Sequence, residues 1–284
     1  MDFIKMHGAG NDYIFFDCRD APVENPSHVS ALLSNRHFGV GGDGLVLIGE
    51  SASCCCRMDM YNADGSRGEM CGNALRCVAR YLFERGEIPA GRSVPVETAA
   101  GMRTVRVNAP EGRFCSVTAD MGEPVLHPAD IPFLSTVPRA VEYPLAAGGE
   151  SLFVTALSMG NPHAVIFCED VSLAPVSTLG PLLERHPAFP NRTNVEFVSF
   201  PADGSLAMRV YERGSGETLA CGTGACAALV AAVLAGKISS PSAEVRAKGG
   251  TLFVRWDREG TNHVFLTGPA VAVFKGNLIL KAKE

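Results

Sequence analysis

Cys71 opens the phrase Cys-Gly-Asn-Ala, and Cys221, 150 positions later, opens Cys-Gly-Thr-Gly; each runs straight into an apolar helical stretch. Two thiols offered to one small molecule can take a proton from one face of a carbon and return one to the other face, which is racemase or epimerase chemistry. The setting suits the task. The first N–H groups of a helix have no intrahelical acceptor, so they favour a nearby thiolate and a bound carboxylate. For a lone cysteine the plain reading is a buried, inert thiol; a duplicated cysteine at two glycine-bearing helix starts argues against it. The other eight cysteines lack that context. Cys77 and Cys226 lie within the helices as packing residues. Cys54, Cys55 and Cys56 are consecutive in a strand-like segment, where side chains alternate faces, so no metal site is expected there.

Other polar residues can frame a substrate. Asn11, Asn62, Asn161 and Asn194 stand next to glycine or in turn-like contexts. Each alone reads as turn chemistry; together they offer donors and acceptors to an amino acid without adding charge. Arg213 can clasp a carboxylate with two N–H groups, and Glu212 can accept from an ammonium. The plain alternative for that neighbouring pair is a surface ion pair. His163, in Gly-Asn-Pro-His, can orient Glu212 or sit beside a cysteine, or serve as a structural polar histidine. Gly39 to Gly44 is glycine-rich but lacks the Gly-Lys-Ser/Thr of a phosphate loop and the dinucleotide fingerprint. No lysine context marks a pyridoxal Schiff base.

The elements that must position these residues repeat as well. Gly10-Asn11 matches Gly160-Asn161, and Met58 and Tyr61 match Met208 and Tyr211, all at the 150-residue offset of the cysteines. Such a period is far longer than a solenoid repeat and fits two domains of ordinary size. With 284 residues, 46% hydrophobic and 19% charged, the chain can fill two cores. Short strands are expected at Tyr13 to Phe16, Gly44 to Ile48, Cys55 to Met60, Val94 to Thr98, Thr104 to Asn108 and Ser116 to Thr118. The second half repeats the pattern at Leu152 to Ala156, Ala164 to Phe167, Asn194 to Ser199, Leu206 to Tyr211, Ala243 to Ala247, Thr251 to Trp256 and His263 to Thr267. Helices are expected at Ser27 to Leu33, Cys71 to Arg85 and Gly222 to Leu234, with Leu173 to His186 broken by Pro175 and Pro181. Gly222 to Leu234 is apolar nearly all round and must be buried on every side, as inside a curled sheet. The net charge of −5 gives no steering field for nucleic acid or an anionic membrane. Ten cysteines diluted over this length, with no export signal at the first residues, fit a reducing cytoplasm.

The chain resembles the diaminopimelate epimerase family. The resemblance is carried by His7-Gly8-Ala9-Gly10-Asn11-Asp12, Asn62-Ala63-Asp64-Gly65-Ser66, Glu69-Met70-Cys71-Gly72-Asn73 with Arg76-Cys77, Met159-Gly160-Asn161-Pro162-His163, Arg192 to Phe197, Tyr211-Glu212-Arg213-Gly214 and Ala220-Cys221-Gly222-Thr223-Gly224. It implies an α/β (α+β) fold of two similar domains, each a curled, barrel-like β-sheet around a central helix, with the active site in the interdomain cleft. The expected division is 1–117 with 263–284, and 118–262. It further implies epimerisation of LL- to meso-diaminopimelate by a cytoplasmic homodimer that uses neither a cofactor nor a metal. Its partner is a small amino-acid substrate, not nucleic acid or a membrane. Carried over residue by residue, Cys71 and Cys221 are the two bases, assisted by His163 and Glu212. Asn11, Asn62, Asn161, Asn194, Glu212 and Arg213 bind substrate, and the backbone of Gly72, Asn73, Gly222 and Thr223 holds its α-carboxylate. Ala74 and Gly42 depart from the common family residues, each a small-for-small change. The competing readings are a racemase of another amino acid on the same fold and a Cys/His hydrolase, which would leave the second cysteine without a task.

Overall fold

The computed structural model describes residues 1–278. Two compact units divide the chain: Met1–Ala119 joined by the segment from Gly268 onward, and Asp120–Thr267.

The first unit runs β1 (Asp2–Gly8), β2 (Asn11–Asp17), α1 (Pro26–Leu33), β3 (Gly44–Gly49), β4 (Arg57–Asn62), β5 (Arg67–Gly68), α2 (Gly72–Glu84), β6 (Ser93–Thr98), β7 (Gly101–Asn108) and β8 (Ser116–Asp120). The second runs β9 (Tyr143–Ala147), β10 (Glu150–Ser158), β11 (Pro162–Phe167), α3 (Val176–Glu184), β12 (Asn194–Ser199), β13 (Leu206–Glu212), β14 (Gly216–Thr218), α4 (Gly222–Leu234), β15 (Ser242–Ala247), β16 (Gly250–Trp256) and β17 (Val264–Gly268). The last strand, β18 (Val271–Asn277), returns to the first unit and pairs antiparallel with β1. β17 stays with the second unit because it runs along β16, Phe253 opposite Thr267.

The pairing pattern is the repeat made structural. In the first unit β1 is antiparallel to β2, β2 parallel to β3, β3 antiparallel to β4, and β4 parallel to β6. In the second, β10, β11, β12, β13 and β15 follow the same sequence of directions. A helix covers each face. Ile14, Phe16, Leu45 and Leu47 pack toward Leu33 of α1; Ala164, Ile166, Val195 and Phe197 pack toward Val176, Leu179 and Leu183 of α3. The alternate residues of those strands face α2 and α4. With both faces covered, β12 is buried along its whole length although Asn194, Glu196 and Ser199 are polar.

α4 is buried from Gly222 to Val233 apart from Thr223. α2 is buried from Gly72 to Ala79 but presents Arg80, Tyr81 and Glu84 at its surface end. Two expectations need correction. The stretch Cys54 to Cys56 is a bend ahead of β4, which begins at Arg57; the Cys55 thiol donates to the Pro95 carbonyl at 2.9 Å instead of entering a ladder. Pro181 does not break its helix: α3 runs through it. The carbonyl it leaves unpaired belongs to exposed Ser177, where water can serve it. β1 went unanticipated because Lys5 and His7 interrupt its apolar pattern; Lys5 is buried there and pairs with Asp12 at 2.6 Å.

Candidate active site

Cys71 is the extended residue that precedes α2. Its Sγ lies 3.2 Å from Oδ1 of Asn11, and Nδ2 of Asn73 donates to the same oxygen at 3.2 Å. The orientation of Asn11 is set from behind: its Nδ2 donates to Asp43 at 2.7 Å. Its oxygen therefore faces the thiol. Arg36 in turn bridges Asp43 and Asp12, at 2.9 and 2.8 Å. Burial alone would raise the Asp12 carboxyl; Arg36 and Lys5 outweigh it and hold it at about 2. Arg76 is wholly buried under the helix head, donating to Asn73 Oδ1 at 2.6 Å and to the carbonyls of Gly72 and Pro269 at 3.3 and 3.2 Å. Gly8 makes room for it, since a Cβ there would lie 2.9 Å from the guanidinium. Asn62, by contrast, is exposed at the end of β4 and donates to Ser66 at 2.9 Å.

Cys221 precedes α4 in the same extended conformation. Its Sγ accepts from the Gly224 N–H at 3.4 Å and lies 3.3 Å from the Thr223 hydroxyl. The Glu212 carboxyl hydrogen-bonds both the Cys221 thiol and the Thr218 hydroxyl. Burial pushes the Cys221 thiol well up, and the charges of Glu212 and Glu196 add to it. Burial raises Glu212 as well. A carboxyl of raised pKa in contact with a thiol is a short path for moving a proton on and off sulfur.

His163 is fully buried, with Nδ1 2.7 Å from Glu196 Oε1 and Nε2 3.0 Å from Asn161 Oδ1. Asn194 splints the site. Its Nδ2 donates to the Pro162 carbonyl at 2.9 Å, and its Oδ1 accepts from the Arg213 backbone at 3.0 Å. The Arg213 side chain is exposed and donates to the Asn191 carbonyl at 3.3 Å, which leaves most of its fork open.

The fold thus gathers Asn11, Cys71, Gly72 and Asn73 at the head of α2, and Asn161, His163, Asn194, Glu212, Cys221, Gly222 and Thr223 at the head of α4. Asn62 ends β4 and Arg213 follows β13, each in its own unit. Sequence reasoning missed three participants. Tyr13 is buried, and its hydroxyl meets Cys71 and Asn11; burial and the neighbouring thiol keep it a phenol. It stands 150 positions before His163, so the offset that paired the cysteines also pairs these two. Asp43 orients Asn11. Glu196 lies in a strand whose other inward residues are uncharged apart from itself, and an acidic residue between Val195 and Phe197 was the available clue. Among the described residues no group of three or more His, Cys, Asp or Glu side chains is placed to hold a metal ion.

This duplicated sheet-and-helix architecture defines a class shared with solved structures. A phenazine biosynthesis protein of the PhzF family from Bacillus anthracis superposes with a TM-score of 0.71 at 16% identity, over 99% of each chain. A hydroxyproline epimerase from Agrobacterium vitis gives 0.67 at 18% identity, covering 97% of this chain and 90% of that one. At such identities the likeness concerns the fold. The sequence is more specific: the diaminopimelate epimerase family profile matches residues 3–127 and 155–273. A diaminopimelate epimerase of Acetivibrio thermocellus is 49% identical over 280 residues, 99% of both chains. One of Pelotomaculum thermopropionicum is 50% identical over 279 residues, 97% of this chain and 98% of that one. The chain belongs to the diaminopimelate epimerase family.

Proposed function

We propose that this protein interconverts LL- and meso-2,6-diaminopimelate, with Cys71 and Cys221 as the two proton carriers and without pyridoxal phosphate or metal. The observation that carries the reading is the repeated helix head: a cysteine just ahead of α2 and another just ahead of α4, each with its thiol in a polar cluster. In one direction a thiolate takes the α-proton while the opposite thiol gives its own proton to the other face; sulfur protonation is exchanged and no atom is lost. Negative charge develops on the α-carboxylate, where the first-turn N–H groups of Gly72, Asn73, Gly222 and Thr223 stabilise it. Glu212 shuttles protons at Cys221. Asn11, Asn62, Asn161, Asn194 and Arg213 bind the amino-acid groups.

Incubation with diaminopimelate in deuterated water tests this. Both stereoisomers should gain α-deuterium with no added cofactor, and lysine, which lacks the distal carboxylate, should exchange far more slowly. Absence of exchange sinks the epimerase reading; equal exchange of both substrates moves it to a broad amino-acid racemase. The proposed setting is a cytoplasmic homodimer. Val271, Val273 and Phe274 leave an apolar strip exposed on β18 in support of a second copy, and light scattering of the purified protein measures it.

A further inference from the structure

Glu184, the last residue of α3, carries no assigned role, yet its side chain is buried. Its Oε1 accepts from the backbone N–H of Gly214 at 3.1 Å, and its own carbonyl accepts from the N–H of Thr193 at 3.1 Å. Those two donors are the chain neighbours of Arg213 and Asn194. One residue of α3 therefore ties down both segments that carry them. Asn194 closes the arrangement by accepting the Arg213 N–H on its Oδ1 at 3.0 Å. Arg185 lies 3.0 Å from Oε2 and Arg192 3.6 Å from Oε1, the compensation that a buried carboxylate requires. Gly180 stands one helical turn before Glu184, so the two share a face of α3. That face meets the β13–β14 hairpin twice. Gly180 lets the Tyr211 ring approach, and Glu184 reaches the turn beyond it.

We infer that Glu184 is a positioning residue that fixes the Arg213 turn against the Asn194 segment, so that the guanidinium fork of Arg213 meets a substrate carboxylate already aimed. A fork exceeds a point charge only when its two N–H groups point correctly, and a turn released at Gly214 lets them wander. Glu212, on the same hairpin, has anchors of its own: it pairs with Gly216 in the ladder and bonds the Thr218 hydroxyl. Loss of Glu184 therefore falls on substrate binding more than on proton transfer at Cys221. The kinetic half of this inference rests on the epimerase reading; the hold on Gly214 does not.

Steady-state kinetics with diaminopimelate test the kinetic half. E184A should raise KM about tenfold, the worth of one hydrogen bond to a charged group, with kcat within about threefold of wild type. E184Q, which keeps an oxygen acceptor for the Gly214 N–H, should recover most of that loss. In an R213A background E184A should add less than about twofold to KM, because no fork remains to be aimed. A KM penalty as large in R213A as in the wild type overturns the proposal, as does E184A with a wild-type KM or with a loss confined to kcat. Should E184A not fold, E184D, one methylene too short to reach Gly214, carries the same expectations. Amide exchange of Gly214, followed by NMR without substrate, reads the hold directly. It should run about tenfold faster in E184A or E184D than in the wild type, and equal rates overturn the proposal. A wild-type protein that does not turn over diaminopimelate sinks the epimerase reading, while the Gly214 amide still decides what Glu184 holds.

Discussion

Asn11 offers Cys71 an acceptor because Asp43 holds its nitrogen, whereas Gly224 offers Cys221 an N–H. The repeat therefore gives two thiols the same extended seat ahead of a helix with different hydrogen-bond partners, which suits the proposed exchange of acid and base roles. Replacing either cysteine with alanine should lower epimerisation by roughly 10²–10⁴-fold or more, with an unchanged far-UV circular dichroism spectrum; near-wild-type turnover in either variant removes that thiol from the mechanism. Tyr13 occupies in the first unit the place of His163 in the second. Its phenol meets Cys71, so Tyr13→Phe should reduce kcat/KM about tenfold, the worth of one hydrogen bond to a group that becomes charged. The thermal midpoint should move little, since the ring stays packed beside Gly44. Unchanged kinetics in that variant would make Tyr13 a packing residue only. The cysteine pair and Asn11 with Asn161 stand out in the sequence because type and spacing repeat, whereas Asn62 and Asn194 have no asparagine at the offset. Tyr13 does not stand out, because tyrosine and histidine do not look alike, although the same offset joins them.

α4 and α2 occupy equivalent places, but their surroundings differ. α4 is apolar on all sides and packs against β10, β11, β12, β13, β15 and β16. Its limits, Gly222 to Leu234, were readable from the sequence because all-round apolarity and Gly236 leave one interpretation. Leu229→Ala at its centre should destabilise by about 2–5 kcal/mol, the transfer term plus a cavity. α3 was the poorly legible helix, since its prolines pointed to a break and packing overrode them. Gly180 explains part of that packing: a Cβ there would lie 2.7 Å from the Tyr211 ring. Gly180→Ala should therefore destabilise by about 1–3 kcal/mol through overpacking, despite the better helix propensity of alanine. Urea unfolding measures both; a stabilised Gly180→Ala would mean that propensity outweighs the contact. The short strands β5, β14 and β9 were equally unreadable. Each is the short arm of a hairpin with its immediate neighbour in the chain, and two to five residues are too few to show a period.

At the scale of the whole molecule, stability depends on charges and on a returning strand. Asp12 has a folded pKa lowered to about 2, below its ordinary 3.8. Its contribution is present above pH 4 and lost as pH falls through 2, so Asp12→Asn should flatten the acid limb of stability by at most about 2 kcal/mol. The chain also crosses between its two units twice, which makes the first unit discontinuous and the second continuous. β18 closes the first: it pairs with β1 from Asp2 to His7 and sets Phe274 edge-on to Phe3, ring centroids 5.8 Å apart. The segment just before it feeds the site helix, since the carbonyls of Pro269 and Ala270 accept from Arg76 and Arg80 at 3.2 and 2.6 Å. A chain ended at Gly268 keeps every strand and helix of the second unit. It strips β1 of a neighbour and leaves the wholly buried Arg76 short of an acceptor, a loss of about 1–3 kcal/mol at that residue alone. Hydrogen exchange of the truncated protein should thus show β1, β2 and α2 exchanging much faster, with β10 to β12 and α4 still protected. Protection lost evenly across both units would mean that they fold as one cooperative body, and full protection of β1 would mean that β18 is dispensable to the sheet.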